Sequence, residues 1–180
     1  MKTLIIHPTD PTTDFLKPIY AGLSDSAILP MQTPSKILMA LINKSVRVLL
    51  MGHGCPAGLF SFGAVQRKII VVSSFETNVF DGQDENVYIF CNADKYVEAN
   101  DLHGFYSGMF ISEISEAKWM GLTGVTREMV DESNATFAEI LSNYIHLSKN
   151  ELYDNVIIEY SQLAETNPIA AYNVQRLYVR

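Results

Sequence analysis

Two residues of this chain are placed to do chemistry together: a histidine and a cysteine, each closing an apolar run. His53 stands between Gly52 and Gly54, directly after Val46–Met51 (VRVLLM), and Cys91 follows Val87–Phe90 (VYIF). Short, nearly continuous apolar runs read as strands buried on both faces. If the two strands are parallel neighbours, about 4.8 Å apart, imidazole and thiol emerge on the same sheet edge. An unperturbed thiol, with a pKa of about 8.5, is mostly protonated at neutral pH. An imidazole beside it takes that proton or stabilises the thiolate, and later protonates a leaving amine. The unobstructed N–H of Gly54 and the N–H of Cys91 are then the expected pair to hold a developing oxyanion.

Other groups compete for these roles. Cys55 is an alternative thiol, and with His53, Cys91 and His103 it makes a set of zinc-ligating types whose spacing matches no strong zinc pattern. His7 closes the first apolar run and is expected to be structural or solvent-facing. His103 is read as a loop residue and His146 as part of a solvated helix face. Each member of the pair also has an ordinary reading: His53 bonded to a carbonyl at a strand end, and Cys91 as a small buried hydrophobe.

The elements that must position the pair follow from patterning. Strands are expected at Lys2–His7, Ala27–Leu29, Val46–Met51 and Val87–Phe90, with short strands at Leu59–Phe62 and Lys68–Val72 around a Gly63 turn. Thr12-Thr13-Asp14 is expected to cap a helix through Leu23, Thr33-Pro34-Ser35 to open the next, and Ser73-Ser74 to cap a short element through Phe80. A helix after Cys91, a loop or strand over Gly104–Ser112, and helices over Glu113–Met120, Arg127–Leu147 and Glu151–Leu163 complete the reading. Tyr172–Val179 is a last helix or an edge element. Apolar strands separated by helices predict an α/β fold, a mostly parallel sheet covered on both faces. In such sheets functional groups collect at the carboxyl ends of the strands, here His7, His53 and Cys91.

The bulk numbers agree with one globular domain over residues 1–180. The chain has 180 residues, 48% hydrophobic and 18% charged, and a formal net charge of −7. That charge, with scattered basic residues, argues against nucleic-acid binding. No apolar run reaches the ~20 residues needed to span a bilayer. MKTLIIHPTD is too short for a signal peptide, and two cysteines make no disulfide framework, so the protein is read as cytoplasmic.

The block VRVLLMGHG followed by the block NVYIFCNAD resembles the caspase-like cysteine peptidases, a group that includes caspases, metacaspases, legumain, gingipains, clostripain and separase. Their His-Gly follows one core strand and their Cys the next, in this chain order. GHGCPAGLFSF is similar to the family's region after the histidine, where a glycine and a short hairpin come next. The resemblance covers Leu4 to Asp94. It implies a three-layer caspase-hemoglobinase sandwich, here with a helical C-terminal third. It also implies Cys91 as nucleophile, His53 as general base and acid, Gly54 in the oxyanion hole, a polypeptide substrate, and no metal or organic cofactor. Asp94 and Glu113 would favour a basic side chain before the scissile bond. Tyr106, Ser107 and Ser112, in the Gly-punctuated GFYSGMFIS, would meet the peptide backbone or serve as ordinary loop residues. Two departures stand out. Phe90 occupies a place where the family often has a small residue, and Asn92-Ala93-Asp94 follows the Cys where caspases carry Arg-Gly. They keep open a second function, a caspase-like binding or signalling module without proteolysis. A third, a flavodoxin-like domain, lacks a Gly-rich phosphate loop after the first strand, where HPTDP stands.

Overall fold

The computed structural model describes residues 3–30, 33–62, 68–73 and 78–180. The chain runs β1 (Thr3–Ile6), a 3-10 segment (Pro11–Leu16), α1 (Lys17–Ala21), β2 (Ser26–Leu29), α2 (Ser35–Lys44) and β3 (Arg47–Met51). It continues through β4 (Gly54–Cys55), β5 (Gly58–Phe62), β6 (Lys68–Ser73), β7 (Asn86–Ile89), α3 (Ala93–Ala99) and β8 (Gly104–Ser107). It ends with α4 (Ile114–Trp119), α5 (Arg127–Tyr144), α6 (Lys149–Ala164), α7 (Pro168–Val174) and β9 (Leu177–Val179).

Six strands form the central sheet in the order β2-β1-β3-β7-β8-β9. The first five are parallel and β9 is antiparallel to β8. Both faces are apolar because the strands are continuous hydrophobic runs. Ile5, Leu49, Met51, Val87, Ile89 and Phe105 pack with Phe137, Leu141, Val156 and Tyr160 of α5 and α6. On the other face Leu4, Ile6, Val48, Leu50 and Tyr88 pack with Leu38 and Ile42 of α2 and Tyr96 and Val97 of α3. Helices therefore cover both sides of the sheet. No helix of the described residues is long and apolar enough to cross a membrane.

The register decides what meets at the carboxyl edge. Leu50 pairs with Tyr88 and Met51 with Ile89. His53 and Cys91 each lie two residues past that last pair, so they leave the sheet level with one another. Directly after His53 the chain builds a small antiparallel sheet, β4-β5-β6.

One expectation changes and two open ones are resolved. The cap of the first helical segment is Asp10, whose side chain accepts the Thr12 N–H at 2.9 Å; Pro11 fixes the first helical position, so the cap falls one residue before it. Gly104–Ser107 is a full strand, and the 172–179 stretch divides between α7 and β9. The reason is the edge of β8: Arg180 and Gly104 exchange backbone bonds of 3.1 Å, and Gly108 N–H reaches the Arg176 carbonyl at 2.7 Å. An open strand edge is closed by the chain's own end. The Gly63 turn and Ser74 lie outside the described residues.

Candidate functional site

The two glycines around His53 have separate causes. Gly52 has φ +134°, a conformation closed to most side chains. Its N–H bonds to the Ile89 carbonyl at 3.0 Å, tying the end of β3 to β7. Gly54 is pressed by Phe90: a Cβ there would lie 2.3 Å from the Phe90 ring and 3.0 Å from the Gly58 carbonyl oxygen. Phe90 itself is buried and sits edge-on to Tyr96 at 5.6 Å. The bulky residue before Cys91 thus fills the core beneath β4, and Gly54 makes room for it. Gly54→Ala is expected to lower stability by about 2 kcal/mol, the usual scale of overpacking, measured by urea unfolding; an unchanged midpoint would refute the contact.

His53 is held from the segment after β1. Its Nε2 lies 2.6 Å from Thr12 Oγ1, and that hydroxyl donates to Asp10 Oδ1 at 2.7 Å. A hydroxyl has one proton. With it directed at Asp10, Thr12 accepts from His53, so Nε2 carries a hydrogen and Nδ1 is left as the basic nitrogen. Asp10 Oδ2 lies 3.9 Å from Nε2. Burial works against the Asp10 carboxylate, but hydrogen bonds from the Thr12 hydroxyl and amide and the nearby His53 charge outweigh it and keep its pKa below the usual value.

The Gly54 amide is available. Phe60 N–H bonds to the His53 carbonyl at 2.7 Å, which makes Gly54 and Leu59 a pair of the non-hydrogen-bonded kind. The Gly54 N–H therefore points away from β5, at the outer edge of the small sheet. After Cys91 the chain turns sharply into α3 through Asn92, at φ 63° and ψ 31°, a left-handed conformation that Asn tolerates. Asn92 N–H bonds to Gly108 and Ala93 N–H to Phe90. Among the described residues the Cys91 amide has no such partner.

The thiol faces a carboxylate. Cys91 Sγ lies 3.6 Å from the Phe110 carbonyl oxygen and 3.9 Å from Glu116 Oε1. Glu116 is anchored by its other oxygen, which accepts from Ser112 N–H at 2.8 Å and Glu113 N–H at 3.1 Å in the capping box of α4. Burial first, and Glu116 next, push the Cys91 thiol up to about 12. In this arrangement Cys91 is a neutral thiol at physiological pH, and no hydrogen bond joins it to His53.

Both side chains nevertheless open on the same space. A groove of about 590 Å³ is lined by Asp10, His53, Gly54, Cys91, Glu116 and Trp119, among others. A smaller cavity of about 20 Å³, bounded by Gly52, His53, Cys91 and Phe110, lies between them and the 3-10 segment.

Other expected site residues are placed elsewhere. Ser107 is buried in β8 and its hydroxyl donates to the Phe90 carbonyl at 3.2 Å. Tyr106 is buried against Tyr178, with ring centroids 5.6 Å apart. Neither lines the groove, because the first part of the stretch read as loop or strand is a sheet strand. Asp94 lies in the first turn of α3 beside Gly108, its Oδ1 buried with no hydrogen-bond partner among the described residues, and does not line the groove. Ser112 stays near the site but is engaged with Glu116. Glu113 lines the groove.

His7 is structural: its ring nitrogens meet Tyr20 Oη at 2.8 Å and Thr13 Oγ1 at 3.1 Å. Burial lowers its pKa. Cys55 lines the groove with His53. His103 precedes β8, whose first residue pairs with the first of β7, so it sits at the opposite sheet edge from Cys91. Among the described residues no cluster of His, Cys, Asp or Glu is arranged to hold a metal.

Sequence reasoning missed Asp10, Thr12 and Glu116. Asp10 before a proline was legible as a cap, but nothing local ties it to a histidine far along the chain. No protein-family model matches this chain, and no curated protein matches it in sequence.

Proposed function

We propose that this chain is a cysteine peptidase of the caspase-like kind, with Cys91 as nucleophile and His53 as general base and acid. The observation that carries the reading is the level exit of His53 and Cys91 from neighbouring parallel strands into one groove. The hairpin after His53 and the order of the two residues agree with the resemblance.

The steps follow from the groups present. Nδ1 of His53 takes the thiol proton, and Sγ attacks the carbonyl carbon of a peptide bond. The amides of Gly54 and Cys91 stabilise the oxyanion. The C–N bond breaks as His53 returns the proton to the departing amine, and water, with His53 as base, hydrolyses the thioester. Asp10 and Thr12 orient the imidazole. Thr12→Val, nearly the same shape but without the hydroxyl, is expected to cut turnover about tenfold by loosening that geometry, read as a loss in kcat with KM little changed.

The engaged thiol favours a second reading, a caspase-like binding or signalling module. One experiment separates the two. A digest of denatured protein is incubated with the wild type and with Cys91→Ala, and new peptide termini are identified by mass spectrometry. Termini that appear with the wild type and not with Cys91→Ala support the peptidase. Their absence in the wild type and also in Glu116→Gln, which relieves the thiol, excludes it.

A further inference from the structure

The groove does not end at Thr12. A second pocket of about 550 Å³ lies between the 3-10 segment, the start of α4 and the first half of α5, and Thr12 and Glu113 line both it and the groove. Ser112 lines it too, and also lines the small cavity beside Cys91. Its volume is that of an ordinary ligand pocket. The proposed chemistry gives it no task.

The apolar lining of this pocket comes from two separate cores. Phe15 packs against the large cluster between the sheet and α5 and α6, stacked on Phe110 with ring centroids 6.5 Å apart. Ile114 and Val130 belong to a small cluster with Ile111, Ala117 and Ile169. The pocket lies where the two clusters meet, and Phe15 and Ile114, which line it, are only half-buried. Covering such surface with another apolar group is favourable in proportion to the area removed from water.

The polar groups of the pocket are mostly engaged with one another. The Ser112 hydroxyl and N–H donate to Glu116, Asn134 Nδ2 donates to the Ser112 carbonyl at 2.9 Å, and Glu113 caps α4. Arg127 and Asp131 are exposed and one turn apart on α5, a spacing at which opposite charges offset each other. The margin of the pocket on α5 therefore favours neither sign of charge.

We propose that the groove and this pocket form one cleft for an extended polypeptide, and that the pocket receives an aromatic or branched aliphatic side chain of that polypeptide against Phe15, Ile114 and Val130. The inference rests on the reading of the groove as a polypeptide site, which the peptidase and the binding module share. Thr12 stands at the junction, so the bound chain passes the residue whose hydroxyl holds His53.

Trp119 is the one tryptophan of the chain, is 77% exposed and lines the groove, so its fluorescence reports a peptide laid there. Capped octapeptide libraries free of tryptophan, each with one position fixed as Phe, Leu, Ala, Lys or Asp, are titrated into Cys91→Ala, which binds without turnover. At one position Phe and Leu are expected to bind about tenfold or more tighter than Ala, Lys or Asp. Asp131→Phe fills the pocket from the exposed face of α5, and Ile114→Asp places a carboxylate in it. Each is expected to abolish the preference at that position and leave the others unchanged; should one variant not fold, the other decides. No apolar preference at any position, or one kept in a folded variant, would overturn the role of the pocket while the groove remains a polypeptide site. No response of Trp119 to any library would overturn both. Binding with the expected preference, but no cleavage in the digest, would remove the peptidase and keep the cleft.

Discussion

His53→Ala is expected to lower peptide hydrolysis by about 10²–10⁴-fold, the range for loss of one general acid–base group. The size follows from two roles: taking the thiol proton and protonating the departing amine. The thiol stands at about 12, so without an acceptor the thiolate is scarce at neutral pH. Raising the pH should therefore restore part of the activity of His53→Ala, since hydroxide removes the proton instead. Amine protonation is not restored, so rescue stays incomplete. The measurement is kcat/KM against pH for wild type and variant on a peptide found in the digest screen. A variant as active as the wild type would remove His53 from the mechanism. A loss with no rescue at high pH would assign His53 to geometry rather than proton transfer.

Glu116→Gln is expected to speed alkylation of Cys91 by iodoacetamide at pH 7–8 by roughly ten- to a hundredfold, one to two pKa units expressed as thiolate fraction. Glu116 Oε1 lies 3.9 Å from the sulfur, and its charge disfavours the thiolate. Burial, the largest cause of the raised thiol, stays in the variant, so the pKa falls but not to that of a free cysteine. Glutamine keeps the capping box, because one side-chain oxygen can still accept from Ser112 and Glu113. Its amide then faces the sulfur and can donate to the thiolate. The sign is fixed: lower pKa, more thiolate at a given pH, and a labelling curve displaced toward acid. Intact-protein mass spectrometry over a pH series reads it directly, with Cys55→Ser as background so that only one thiol reports. An unchanged curve would mean that Glu116 does not face Cys91 in solution.

Together these variants probe a thiol that opens on the same groove as His53 and is held neutral. The segment from Phe110 to Glu116 does the holding, through one carbonyl and one carboxylate. Under the peptidase reading, activity requires that segment to move or Glu116 to find another partner. Under the binding-module reading, the same contacts are the resting structure.

The amino-acid sequence alone determined the strands and the order of the two reactive groups along them. VRVLLM and VYIF are short, nearly continuous apolar runs, which read as strands buried on both faces, and such strands suggest a mostly parallel sheet between helices. That was enough to place His53 and Cys91 at carboxyl ends. It was not enough to say what each touches. The bond from Thr12 to His53 spans 41 positions and the contact of Glu116 with Cys91 spans 25. Periodicity reports the face on which a residue lies, not which distant segment covers that face. Tyr106 and Ser107 show the same limit: the glycines on either side left loop and strand both open, and pairing with β7 and β9 makes the stretch a strand. Arg47, within the run read as apolar, is buried with its guanidinium on the carbonyls at the end of α5. Strand identity is written in neighbouring residues, while the protonation of Cys91 and the tautomer of His53 are set by groups that only the folded chain brings together.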